Sequence, residues 1–185
     1  MKKTTQNNAK MSQISRYIAM AGISTALVMA ATITLQIPVA GANGYFNLGD
    51  SIIFVVSVLC GPIVGAIAGG LGSMLADIIT GYAIYAIPTL IIKGLEGAMC
   101  GLIADIAYKK LAEKQNKAML ITIAGMILCG LEMVVGYFFT AWLLFGLEIA
   151  VVAIPANLMQ GGLSVVAAAL ALYAFRLHSK IKFIR

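Results

Sequence analysis

Apolar and polar positions alternate along this chain on the scale of whole helices. Apolar stretches run at about 17–37, 50–79, 84–107, 118–140 and 150–175, separated by short polar or glycine-rich connections. Segments such as Ile52–Leu59 and Val165–Leu172 are almost wholly apolar, whereas a membrane β-barrel would show alternating segments of roughly 10 residues. A helix needs about 20 such residues to cross a bilayer. The stretch at 50–79 carries its own break at Cys60-Gly61-Pro62, because proline cannot continue the helical hydrogen bonding and disfavours helix at the residue before it. It divides into about 50–61 and 63–79, which brings the predicted spans to six. The span at 50–61 is short for a bilayer at ~1.5 Å per residue, so it starts inside the preceding loop or lies where the membrane is thin.

Composition points the same way. Of 185 residues, 61% are apolar and 11% charged, against roughly 25% charged in an ordinary soluble domain. Too little polar surface is available to cover a water-soluble globule. The expected fold is an all-α membrane protein, one six-helix domain over residues 1–185.

A net charge of +6 suggests nucleic acid until the charges are placed. Twelve of the 13 basic residues fall in three clusters: Lys2, Lys3, Lys10 and Arg16; Lys109, Lys110, Lys114 and Lys117; Arg176, Lys180, Lys182 and Arg185. Beside apolar stretches these are topology signals, and no nucleic-acid partner is expected. All three clusters on the cytoplasmic side require an even number of crossings between each pair, which the split at Gly61-Pro62 supplies. Both termini are then cytoplasmic. The outer loops, Pro38–Gly49, Thr80–Tyr82 and roughly Leu144–Ile149, contain no lysine or arginine. The first is rich in Gly and Asn and reads as a lid, ending in Asp50-Ser51 as a plausible helix cap. Lys2 and Lys3 followed by an apolar stretch, with Ala40-Gly41-Ala42 beyond, imitate a signal peptide, but the 21 residues from Tyr17 to Ile37 exceed the 7–15 of a signal core. An uncleaved first span in a multi-pass protein of the bacterial plasma membrane is expected.

Six charges lie away from the basic clusters: Asp50, Asp77, Lys93, Glu96, Glu132 and Glu148. A charge at the bilayer centre costs at least ~2.5 kcal/mol, so such residues usually face a cavity or a partner. Asp77, Lys93 and Glu132 fall at similar depth with Asn157 and Gln160, which share one side of the last span. Together they suggest a pocket in the outer half of the bundle, walled by Tyr45, Tyr82, Tyr85 and Trp142, whose rings can stack on a planar ligand. With Asn43 and Asn47 of the long loop, these are the candidate substrate contacts. Plainer readings stay open: interfacial aromatics, a buried Lys93–Glu96 pair at i+3, and Asn157 and Gln160 as interhelical glue. Glu96 reads as structural and Glu148 as solvated.

Gly22, Ala26 and Ala30 repeat at four-residue spacing, a small-residue face on which another helix can approach closely, inside the bundle or outside it. Gly65, Gly69 and Gly72 allow the same. Cys60, Cys100 and Cys129 show neither disulfide nor zinc spacing. A phosphate loop and a Ser/His/Asp arrangement are absent, and the one histidine, His178, lies in the basic tail. No enzyme activity, cofactor or metal is expected.

Three motifs stand in order: Gly44-Tyr45-Phe46-Asn47-Leu48-Gly49-Asp50, then Gly61-Pro62-x-x-Gly65-x-x-x-Gly69-Gly70-x-Gly72-Ser73-x-x-Ala76-Asp77, then Pro88-Thr89-x-x-Ile92-Lys93-Gly94-Leu95-Glu96-Gly97. Over nearly its whole length the chain resembles the substrate-binding S components of energy-coupling factor (ECF) vitamin transporters, most of all the riboflavin-type branch. The resemblance implies six helices with cytoplasmic termini and capture of a small water-soluble vitamin from outside under a first-loop lid. It further implies docking on a transmembrane coupling subunit driven by two cytosolic ATPases. The family's docking surface includes an Ala-xxx-Ala pattern on the first helix, matched here by Gly22, Ala26 and Ala30. The pocket chemistry suits a pyridoxine-like or hydroxymethylpyrimidine-like ring as well as riboflavin, and pantothenate if Lys93 meets its carboxylate; of these a small B6-like or pyrimidine ring is the expected substrate. A small ion-coupled secondary transporter or channel using Asp77, Lys93 and Glu132 is the alternative.

Overall fold

The structure, a computed structural model, describes residues 2–41 and 43–174, of which residues 2–10 and Ser12 by backbone alone. The basic cluster Arg176, Lys180, Lys182 and Arg185 lies outside the described residues, as do the side chains of Lys2, Lys3 and Lys10.

Six α-helices account for most of the chain: α1 (Lys2–Thr34), α2 (Gly49–Cys60), α3 (Pro62–Ile79), α4 (Ala86–Lys110), α5 (Gln115–Phe145) and α6 (Leu147–Ala174). A single 3-10 turn, Ala83–Tyr85, leads into α4. Among the described residues, four helices have the length and apolar composition to cross a membrane: α3, α5, α6 and the Gln13–Thr34 part of α1. At 12 residues α2 is too short on that criterion, and α4, although 25 residues long, carries Lys93, Glu96, Asp105, Lys109 and Lys110. Large apolar side chains cover the outside, Leu143 being 84% exposed and Leu120 67%. In water such a surface would aggregate; against lipid it is the solvated state.

The break at Gly61-Pro62 follows from local chemistry. Gly61 adopts φ 92°, a left-handed conformation that glycine reaches without a Cβ clash. Its N–H donates to the Ser57 carbonyl at 3.0 Å, and Pro62 opens α3, where its missing N–H would have had no helical partner. Glycines also set the approach of α3 to its neighbours. A Cβ on Gly69 would stand 2.5 Å from the Lys93 carbonyl oxygen, and one on Gly72 2.8 Å from that of Thr25. Gly65 and Gly97 meet backbone to backbone. The glycines of α3 thus lie at the seams with α1 and α4, and they place Lys93 against α3.

The end of the bundle away from the Pro38–Gly49 loop is solid. Phe54, Val58, Cys100, Ala104, Met119, Met126, Cys129, Val165, Ala168 and Leu172 form one buried cluster there, drawn from α2, α4, α5 and α6. A smaller cluster, Val28, Ile53, Val56, Val64 and Ala68, joins α1, α2 and α3. Polar residues are concentrated at the opposite end, where the helices part.

That end is crossed by a hairpin the hydropathy pattern did not predict. Strands β1 (Ile37–Pro38) and β2 (Tyr45–Phe46) pair antiparallel, Ile37 with Phe46 and Pro38 with Tyr45. Two residues per strand are too few to show an alternating pattern, and Pro38 is tolerated because the ladder is all edge. The Asp50-Ser51 cap expected from the sequence is corrected. Helix α2 starts at Gly49, whose N–H is accepted by the Asn47 side chain at 2.8 Å, and Asp50 is turned into the bundle.

Candidate functional site

Between the hairpin and the helices lies a cleft of about 700 Å³, its open mouth included. Its walls come from the hairpin region (Asn43, Gly44, Tyr45, Asn47), α3 (Ser73, Asp77), the turn before α4 (Tyr82, Tyr85), α4 (Thr89, Lys93), α5 (Tyr137, Ala141) and α6 (Asn157, Gln160). Thr89 and Lys93 are four apart on α4, as are Ser73 and Asp77 on α3, so each helix presents one strip to the cavity.

At the floor, Lys93 is held between two carboxylates. Its Nζ lies 2.6 Å from Asp50 Oδ1 and 2.9 Å from Glu96 Oε2, with all three side chains buried. It also lies 5.6 Å from the centroid of the Tyr137 ring, a favourable cation–π contact. The network continues outward: Gln160 Nε2 donates to Asp50 Oδ2 at 2.8 Å, and Gln160 Oε1 accepts from the Asn47 backbone N–H at 3.0 Å and from its side-chain amide at 3.3 Å. A chain from Glu96 through Lys93, Asp50 and Gln160 to Asn47 ties α4, α2 and α6 to the base of the hairpin. Buried charges are tolerated when paired and hydrogen-bonded in this manner.

A second contact holds the hairpin itself. The Tyr45 hydroxyl donates to Asp77 Oδ1 at 2.6 Å, and its ring lies 4.7 Å from that of Tyr82. Burial, and then the neighbouring Asp77, raise the Tyr45 hydroxyl far above an ordinary tyrosine, so it remains a donor at physiological pH. Gln36 adds a bond from the start of the loop to Thr80, at 3.2 Å. Deeper in, the Thr89 and Tyr137 hydroxyls pair at 3.0 Å. Tyr85 packs on Phe145 and Tyr137, with centroids 5.7 and 6.3 Å away. The other oxygen of Asp77, Oδ2, is buried without a hydrogen-bond partner among the described residues.

Nine of the candidate contacts line this cleft: Asn43, Tyr45, Asn47, Asp77, Tyr82, Tyr85, Lys93, Asn157 and Gln160. Glu132 and Trp142 are not among its lining residues. On α5 the cleft-facing positions are Tyr137 and Ala141, a strip that leaves Glu132 to one side. Trp142 is turned outward, 46% exposed, against Phe138 and Phe139. Two of the plainer readings hold together with the pocket reading. Lys93 lines the cleft and is paired with Glu96, while Gln160 lines it and also bonds α6 to α2. Asp50 and Tyr137 were missed as site residues. The isolated charge of Asp50 was a usable signal, whereas a tyrosine in an apolar run was none.

On α1, Gly22, Ala26 and Ala30 are exposed, whereas Ser24, Val28 and Thr32 face inward and are buried. The small-residue face is therefore not consumed by packing within the bundle.

Fold and site together define a helical membrane protein with a polar cleft at one end, capped by a short hairpin. Residues 13–176 match the family described as ECF-type riboflavin transporter, S component, and the chain belongs to that family. This bears out the resemblance seen in the three motifs and makes the chain a transporter component of the membrane. The chain is also similar to a Pyrococcus woesei protein described as "Uncharacterized protein in gap 3'region". The two are 41% identical over 119 residues, 64% of this chain and 74% of that relative.

Proposed function

We propose that the protein is the substrate-specific subunit of an ECF-type importer, capturing a B vitamin or precursor from outside and passing it inward. The observation that carries this is the cleft itself, lined by four tyrosines and a few convergent polar groups, the kind of lining that small-molecule sites show. On this reading all six helices cross or enter the bilayer, α2 and α4 shielded by their neighbours. Both termini are cytoplasmic and the hairpin is the outer lid. A membrane coupling subunit docks on the exposed Gly22, Ala26 and Ala30 face, and two cytosolic ATPases drive release. Candidate substrates are a pyridoxine-like ring, a hydroxymethylpyrimidine-like ring and riboflavin, the last favoured by the family's description.

Native mass spectrometry of the gently purified protein, followed by calorimetry with these compounds, tests the reading. Submicromolar binding of one of them is expected, with vesicle uptake only when the coupling and ATPase subunits are present. Robust uptake by the chain alone would overturn it. The observations favour binding over an ion relay, because Lys93 is held by Asp50 and Glu96 and Glu132 lies outside the cleft lining.

A further inference from the structure

The walls of the cleft are held unequally. On the α3 side the hairpin region is tied by hydrogen bonds, Tyr45 donating to Asp77 at 2.6 Å and Gln36 to Thr80 at 3.2 Å. Below it, Asn47 is bonded to Gln160 of α6 through its backbone and side-chain N–H groups. Toward the outer end of α6 the ties stop. Val39, Ile149 and Ala153 line the cleft there, and the tip of the hairpin rests on Val152, whose Cγ1 lies 3.3 Å from where a Cβ on Gly41 would stand. Among the described residues no hydrogen bond joins the hairpin to residues 147–154. The seam is apolar, and parting it strands no buried hydrogen-bonding group.

The same stretch of α6 is set off by its backbone. Gly146, at φ 95°, joins it to α5, and Pro155 stands inside the helix at its other end. Proline has no N–H to give the Val151 carbonyl, and its ring crowds that turn, so the helix bends there more easily than elsewhere. Packing does not compensate. Of residues 147–154 only Ala150 is buried, a single methyl group, whereas beyond Pro155 Gln160, Gly161, Ser164, Val165, Ala168 and Leu172 all are. Leu147, Val151 and Val152 are 52, 50 and 47% exposed. Few buried contacts and a missing helical bond mark a segment of low local stability.

We infer that residues 147–154 of α6 are the gate of the cleft. They swing outward about Pro155, with Gly146 following, to admit and release the ligand, while the hairpin stays tied to α3 as a fixed cover. The inference rests on the vitamin-capture reading and adds the route by which that ligand passes. At 1.5 Å per residue the segment is about 12 Å long, and a proline kink of about 20° carries its far end by about 4 Å.

The test places spin labels on two pairs of exposed positions, Leu147→Cys with Ile84→Cys and Ile37→Cys with Ile84→Cys, in a Cys60→Ala background with the two buried thiols left in place. Label-to-label distances are measured in lipid nanodiscs, without ligand and with riboflavin, pyridoxine or 4-amino-5-hydroxymethyl-2-methylpyrimidine, whichever binds most tightly. Without ligand the 147–84 pair should show a second population longer by about 4 Å, which the compound removes; the 37–84 pair should keep one distance throughout. In Pro155→Ala, where the helical hydrogen bond is restored and no ligand contact is touched, association and dissociation rates should both fall at least about fivefold with affinity within twofold. The distance measurement keeps Pro155 and does not depend on that variant folding. A single unchanging 147–84 distance, a second population at the 37–84 pair instead, or a Pro155→Ala protein whose two rates do not fall together overturns this inference and leaves the vitamin-capture reading standing. Binding of none of the three compounds overturns that reading, and this inference with it.

Discussion

Replacing Lys93 by Met keeps most of the stem volume and removes the ammonium, leaving Asp50 and Glu96 buried with no counter-charge. The two carboxylates are affected unequally. Asp50 retains the Gln160 amide at 2.8 Å, but Glu96 loses its 2.9 Å contact to Lys93 and already has a second oxygen, Oε1, without a partner. Breaking a buried pair by removing one partner costs about 3–5 kcal/mol, whereas replacing the whole group by neutral side chains is often neutral or stabilising. At 2–4 °C per kcal/mol for a chain of this size, Lys93→Met should lower the melting temperature by about 6–20 °C. The triple variant Asp50→Asn, Lys93→Met, Glu96→Gln should recover most of that loss. Cys100 and Cys129 are buried thiols and Cys60 is half-buried, so a thiol-reactive fluorophore in detergent reports unfolding directly, over a small constant signal from Cys60. A Lys93→Met protein that melts with the wild type, or a triple variant less stable than the single one, would refute the assignment of Lys93 as the neutraliser of both carboxylates.

Gly69→Ala should destabilise by about 1–3 kcal/mol, read in the same melting assay, because its Cβ would press on the Lys93 carbonyl oxygen from 2.5 Å. Tyr45→Phe removes the hairpin's 2.6 Å bond to Asp77; amide exchange in residues 37–46 should accelerate and ligand dissociation should quicken by about tenfold, some 1.4 kcal/mol. Trp142→Ala and Glu132→Gln, at positions outside the cleft lining, should leave ligand affinity within twofold by calorimetry. Ala26→Leu should leave ligand binding intact and abolish co-purification with the coupling subunit; normal assembly would remove that face from the proposed docking surface.

Much of the fold was legible because hydropathy is local. The central part of each helix lies in a mainly apolar stretch, although α1 begins in a polar segment and α4 carries charges, and Gly61-Pro62 marks a break that backbone geometry requires. The hairpin was not legible, since two paired residues per strand leave no pattern. Within the site, Asp77 and Lys93 stood out as charges that a membrane tolerates only with a reason. Glu132 had the same signature and does not line the cleft. A helix that is apolar on every side has no polar stripe to orient it, so the place of Glu132 along α5 was predictable and the rotation of the helix about its axis was not.

By itself, then, the sequence determined the class of protein and the position of its helices along the chain, properties that sum over neighbouring residues. The partners of those charges were decided only by the tertiary structure. Lys93 meets Asp50 across 43 residues and Asn47 meets Gln160 across 113. Whether a buried lysine is a free anchor for an anion or a cation already spent on two carboxylates depends on distances of a few ångströms between segments far apart in the chain, and no local pattern encodes them.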